Sequence, residues 1–229
     1  MSEKDLLSDV MGQELHTQFE KVIFKERGTE IAFDELVKDF ETAWESLKNR
    51  KHLIDVSEHF GDGKGPASSF AFLSGSRSDL LERKKDCDEN EIKDFPGIYA
   101  FFHDDKPYYV GISRGVIKRI QQHIKGTTHF SASLAFKMAV DVAKQEGKLK
   151  ENEKDGSLLF FANEKVSEGE RLVRKELQDK LRDGFNEAKT FLKNSQVNFM
   201  RIDNSDQRAL FEIYCAMQAG LYLNSFETH

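Results

Sequence analysis

Residues 97–112 read GIYAFFHDDKPYYVGI. Two runs rich in aromatic and β-branched residues, 97–103 and 107–112, flank Asp104-Asp105-Lys106, a short polar linker of turn-forming type, and this pattern predicts a β-hairpin. Directly after it, Val116, Ile117, Ile120 and Ile124 recur at helical spacing, so 113–125 is expected to be a helix. Arg119 and His123 lie four apart on that helix and therefore share one face.

Working outward toward the C-terminus, 133–146 reads as a helix, 157–163 as a strand, 168–193 as one long charged helix and 197–202 as a strand. Residues 206–220 form a last helix, with Leu210, Ile213, Tyr214 and Met217 as its expected buried face. Toward the N-terminus, Phe33, Leu36, Val37, Phe40, Trp44 and Leu47 make one apolar stripe, which predicts a helix over 30–56. A second, less regular helix at 3–24 would supply its partner. Between them and the hairpin lies a Gly- and Ser-rich stretch followed by a densely charged one, and 60–95 is expected to be the boundary, with SSFAFLSG at 68–75 as a short strand. The expected organisation is a mainly helical segment and linker over 1–95 and an α/β (α+β) domain over 96–229. That domain is a small mixed or antiparallel sheet flanked by helices.

The chain has 229 residues and a formal charge of -6. No apolar run approaches the roughly 18 residues that span a bilayer, and MSEKDLLSDV lacks the basic start and apolar core of a secretory leader. The expectation is a soluble cytoplasmic protein. Cys87 and Cys215, the two cysteines, stand in no ligand spacing, which argues against a disulfide framework or a structural zinc. No phosphate-binding Gly loop, dinucleotide fingerprint, GxSxG or HExxH occurs; Glu91-Ile92-Lys93 sits in a polar run and reads as surface. The acidity is unevenly spread. Residues 106–150 hold nine Lys or Arg against Asp141 and Glu146, a net of +7, leaving -13 elsewhere. A basic face on an acidic protein is what local phosphate capture requires.

Gly97-Ile98-Tyr99 and Tyr109-Val110-Gly111 resemble the two half-motifs of the GIY-YIG nuclease family, in order and on an expected hairpin. Arg119 and His123 resemble the family's R-x-x-x-H helix. Glu212 and Asn224 resemble the acidic and Asn motifs that complete its site. HFSASLAFKMA at 129–139 and DQRALFEIYCAMQAGLYLNSFETH at 206–229 further resemble one bacterial branch of the family. His123 and Glu212 are 89 residues apart, wider than in compact members, so an inserted strand and helix must lie between them. Residues 1–95 resemble no family.

The resemblance implies a metal-dependent endonuclease acting on DNA. Glu212 would hold one divalent ion, Mg²⁺ or Mn²⁺, and a single carboxylate suits a Mg²⁺ that keeps most of its waters. Arg119 would clamp the phosphate with its permanently charged planar fork. Tyr99 would activate the water with Tyr109 as its hydrogen-bonding neighbour, a role that demands a phenol pKa depressed from about 10 by Arg119 or the metal. His123 would orient water or phosphate, and Asn224 would fix the site. Of Tyr108 and Tyr109 only one should enter the site, since adjacent strand residues face opposite ways. Lys118, Lys125 and Lys137 are candidates for contacting DNA, and His129, Ser131 and Ser133 for lining its groove. Taken singly, each tyrosine is an ordinary strand aromatic and Arg119 an ordinary surface cation; the joint pattern sets them apart. RNA is the other substrate this chemistry admits. Double-strand cleavage by a single-site fold takes two copies or two events, which allows a homodimer. The rival reading is a non-catalytic nucleic-acid or protein-binding module on the same fold.

Overall fold

The computed structural model describes residues 32–61, 94–152, 155, 157–161, 169–221 and 223–224. In chain order these form α1 (Phe33–Val37), α2 (Phe40–Leu47), β1 (Ile54–Asp55), β2 (Gly97–His103), β3 (Lys106–Ser113), α3 (Val116–Lys125) and α4 (Ser133–Gln145). There follow β4 (Leu149–Glu151), β5 (Leu158–Phe160), β6 (Glu170–Arg171), α5 (Arg174–Lys180), α6 (Arg182–Lys193), β7 (Gln196–Arg201) and α7 (Ser205–Ala219). The chain divides between Leu36 and Val37 into two compact units, and the second holds every strand named here.

The expected hairpin is present as β2 and β3. Asp104 and Asp105 form a two-residue turn with φ of 49° and 62°, the primed geometry whose twist matches that of paired strands. Asp tolerates this left-handed region better than most side chains. Strand β7 pairs antiparallel with the other side of β2, and β1 pairs antiparallel with β7, giving the order β1-β7-β2-β3. Between Phe101 and Phe102 the register shifts: Phe101 opposes Tyr109 while Phe102 opposes Pro107, so Tyr108 is the extra residue of a β-bulge.

Strand β2 is apolar along almost its whole length because it is covered on both faces. Ile98, Ala100 and Phe102 pack against Phe40, Trp44 and Leu47 of α2 and Phe211 and Cys215 of α7. Tyr99 and Phe101 face the opposite way, toward Ile117 and Ile120 of α3, Ala135 of α4 and Phe185 and Leu192 of α6. The domain is therefore helix, sheet and helix in three layers, an α/β fold with an antiparallel sheet.

Several expectations are corrected in detail. The helix expected over 30–56 is two short helices that stop at Leu47. Asn198 of β7 takes up the terminal carbonyls, donating to Leu47 O at 2.7 Å and Ser46 O at 3.4 Å, and Asn49 accepts from Lys51 N to start a 3₁₀ turn. The lower half of the apolar stripe is partnered by the sheet; residues 3–24, and the strand expected at 68–75, lie outside the described residues. So does most of the boundary expected at 60–95, while residues 40–60 contribute to the same cores as the hairpin. The strand at 158–160 belongs to a second sheet, β4-β5-β6. The single helix expected over 168–193 is β6, α5 and α6, because its apolar residues serve two different cores: Leu177 and Leu181 pack with Val140 and Leu149, whereas Phe185, Ala188 and Leu192 pack under the main sheet. In α7 the buried residues include Phe211 and Cys215, while Ile213 and Met217 are exposed. Apolar residues surround this helix, so periodicity alone misjudged its orientation, and the aromatic contact of Phe211 with Phe40, centroids 4.9 Å apart, decides it.

Helix α3 is held at its N-terminus by a residue distant in sequence. The Asp94 carboxylate accepts from Phe95 N at 2.9 Å, Ile117 N at 3.0 Å and Lys118 N at 2.9 Å. It thus does the work of an N-cap side chain where Gly115 has none. Asp94→Ala should lower stability by about 1 kcal/mol, read as a fall in the midpoint of chemical denaturation. An unchanged midpoint would show that water caps this helix equally well.

Candidate active site

Tyr99 projects from β2 toward α3, and its hydroxyl shares a 2.7 Å hydrogen bond with His123 Nε2. Both side chains are buried. The phenol crosses the neighbouring strand at Gly111, its register partner; a Cβ there would stand 2.5 Å from the hydroxyl oxygen. A Cβ at Gly97 would likewise collide with the Met200 carbonyl on β7. The two glycines of the half-motifs are thus sites of close approach. Tyr109 completes the aromatic group, its ring 6.2 Å from Tyr99 and 5.9 Å from His123 between centroids.

The reason given for admitting only one of Tyr108 and Tyr109 to the site, that adjacent strand residues face opposite ways, does not hold at the β-bulge. Both rings pack near Phe101, at 6.2 and 6.5 Å. Tyr108 nevertheless leaves the site, because its hydroxyl bonds Ser195 Oγ at 2.9 Å. Tyr109 is the one that stays.

Arg119 lies one turn before His123. Its guanidinium donates to Ser133 Oγ at 2.7 Å, Ser131 O at 3.2 Å and Gln122 Oε1 at 3.4 Å. Ser131 and Ser133, expected to line a groove, thus hold the cation in place. His129 is mostly buried, its backbone N–H and ring engaged by Gln178 Oε1 at 2.6 and 3.2 Å. Lys118 and Lys125 are exposed on α3. Lys137 turns inward and donates to Leu223 O at 2.9 Å.

The remaining residues arrive from the far layer. Helix α7 runs beside β3, an edge strand among the described residues, and Glu212 is close enough for its charge to act on the Tyr109 phenol. The chain then turns at Gly220, and Asn224 accepts from Val110 N at 2.9 Å and donates to Val110 O. Both backbone groups of the residue beside Tyr109 are thereby satisfied. Tyr99, Tyr109, Arg119, His123, Glu212 and Asn224 are brought to one stretch of the hairpin. Asp94 and Gln178 were not foreseen from sequence, since each acts on a partner more than 20 residues away and no local pattern marks such a bond.

Burial dominates the electrostatics. The Tyr99 phenol is pushed well above its usual 10, first by burial and then by Tyr109; Arg119 opposes this but does not win. Burial, then Glu212, raises Tyr109. His123 falls to about 3, through burial and then the charge of Arg119. At neutral pH the imidazole is uncharged and the phenols are protonated, so the expected depression of the Tyr99 pKa is absent in the free protein. Burial lifts the Glu212 carboxyl to about 7.

Among the described residues no three His, Cys, Asp or Glu side chains converge as a metal cluster. Glu212, a largely desolvated carboxylate, suits Mg²⁺ or Mn²⁺ carrying most of its own water. The donor set therefore fits the ion implied by the resemblance.

Residues 95–157 match the family model described as the GIY-YIG catalytic domain. No curated protein and no solved structure gave a match. The matched segment takes in β2, β3, α3, α4 and β4, and Glu212 and Asn224 lie beyond it.

Because Glu212 binds its proton more tightly folded than unfolded, its contribution to stability is complete below about pH 4.5 and is lost as pH rises through about 7. Glu212→Gln should therefore melt above the wild type near pH 8 in chelator, with the difference vanishing toward pH 4.5. Mg²⁺ should raise the wild-type Tm alone. Identical melting at every pH would mean that this carboxylate is well solvated.

Proposed function

We propose that this GIY-YIG domain is the catalytic part of a metal-dependent endonuclease that hydrolyses phosphodiester bonds in DNA. The observation that carries the reading is the buried Tyr99–His123 pair, one helical turn from an Arg119 whose fork is already positioned by Ser131 and Ser133. Such a site offers a fixed cation for a phosphoryl group and fixed hydroxyls for a water, the preorganised elements on which phosphoryl transfer depends.

Arg119 binds the scissile phosphate and neutralises charge that grows on its oxygens. Tyr99 and Tyr109 place the attacking water. In the free protein Tyr99 does not release its proton, since a phenol above 10 stands beside an imidazole at about 3. Bound phosphate cancels the Arg119 charge that helps to hold His123 down, and so makes the imidazole a better acceptor for the phenol proton as the water gives up its own. Glu212 would hold a divalent ion, which when bound would supply further charge neutralisation at the reacting phosphate. Asn224 holds the β3 backbone so that Tyr109 keeps its place.

The net charge of +7 over 106–150 supports a nucleic-acid substrate. Among the described residues no helix is long and apolar enough to cross a membrane. A purely binding module has no use for a desolvated carboxylate opposite a buried phenol, which weighs against the non-catalytic alternative.

Supercoiled plasmid should be nicked in Mg²⁺ or Mn²⁺ and left intact in EDTA, with Glu212→Ala and Arg119→Ala each slower by on the order of a hundredfold or more. Activity surviving in both variants would move the site elsewhere. Absence of cleavage on plasmid, single-stranded and branched substrates alike would favour the binding module.

A further inference from the structure

The turn that joins α3 to α4 presents a large apolar ring to solvent. Phe130 is 73% exposed, and a phenyl group loses favourable burial energy by standing in water. Its surroundings are nevertheless firmly braced. Gln178 accepts from His129 N at 2.6 Å and donates to Thr127 O at 2.8 Å, tying the turn to α5. The Thr128 and Ser131 hydroxyls bond each other at 3.0 Å, and Ser131 Oγ also donates to Thr128 O at 3.1 Å. The Phe130 ring rests against the His129 imidazole, with centroids 4.0 Å apart. The residue is thus exposed on a preorganised support, so little ordering entropy remains to be lost when a ligand covers it.

Its position in the chain adds a second constraint. The next residue, Ser131, supplies the carbonyl that holds Arg119. Lys125 is exposed at the end of α3, just before the turn. An exposed aromatic ring on the residue next to the one that holds a phosphate clamp, with an exposed lysine at the start of the same turn, is a combination suited to single-stranded nucleic acid: cations follow the backbone and the ring stacks a base. In an intact duplex both faces of every base are covered, and the ring has nothing to stack on.

We propose that Phe130 stacks an unpaired nucleobase beside the phosphate held by Arg119, so that the substrate class of this site is nucleic acid with single-stranded character at the cut. The inference rests on the nuclease reading for the identity of the clamp.

The test uses the full chain and reads binding and cleavage separately. The protein has one tryptophan, Trp44, which is buried against the other face of the sheet, so Phe130→Trp adds an accessible indole that a stacked base will quench. A single-stranded DNA oligonucleotide, the RNA of the same sequence and a blunt DNA duplex are titrated in EDTA. Quenching by the single strands and not by the duplex is expected, and the stronger of the DNA and RNA responses identifies the sugar. Phe130→Ala should weaken single-strand binding by between about fivefold and about 150-fold and leave duplex binding within about twofold. With Mg²⁺, its cleavage at an unpaired nucleotide should fall in parallel. An unquenched indole together with unchanged single-strand affinity in Phe130→Ala would overturn the inference, while metal-dependent plasmid nicking by the same preparation would leave the nuclease reading standing. Quenching and an alanine defect without cleavage of any substrate would uphold the stacking role and overturn the catalytic reading. Failure to bind any of the three oligonucleotides would overturn both.

Discussion

The hydrogen bond between the Tyr99 phenol and the His123 imidazole ties the central strand to α3, and much of the domain is arranged so that it can form. The ring can cross β3 only where Gly111 leaves room. His123 is presented at the right height because α3 is pinned at its first turn by Asp94. The surrounding layer of α3, α4 and α6 keeps water from both groups, and that dryness sets their protonation. An imidazole held near 3 beside a phenol well above 10 is a neutral pair, and a neutral pair is cheaper to bury than an ionised one.

The opposing charges come from opposite layers. Arg119 belongs to the layer of α3, and Glu212 to α7, whose Phe211 and Cys215 pack on the other face of the sheet. A continuous sheet would keep them apart. Both act on β3, which among the described residues is an outer strand of the sheet. Tyr109, on β3, registers both, since its phenol is raised by Glu212 and lowered by Arg119. The site therefore sits at the sheet edge for a geometric reason, and the bulge at Tyr108 is placed where it keeps Tyr109 turned inward while sending its neighbour to Ser195.

The hairpin, its turn and the shared face of Arg119 and His123 were legible in sequence because each follows from local periodicity or turn chemistry. The six candidate site residues were legible only through a family resemblance, since nothing local links Tyr99 to Glu212 or Asn224. What sequence could not show depends on tertiary competition. Helix α7 carries apolar residues on all sides, and only the meeting of Phe211 with Phe40 chose its buried face. The chain over 168–193 has an uninterrupted helical composition, yet it breaks at Leu181 because the residues on either side of the break serve different cores. The protonation of Tyr99 in the free protein was hidden for the same kind of reason: the proximity of Arg119 was readable, but the degree of burial that outweighs it was not.

Asn224 places one amide side chain against both the N–H and the C=O of Val110. An outer strand with free backbone groups is a template on which another chain can extend the sheet. Here the middle of that template is occupied by a side chain that mimics a peptide unit and then ends, offering no further strand to continue the ladder. The borrowed amide thus makes β3 a poor seed for sheet-to-sheet growth at Val110.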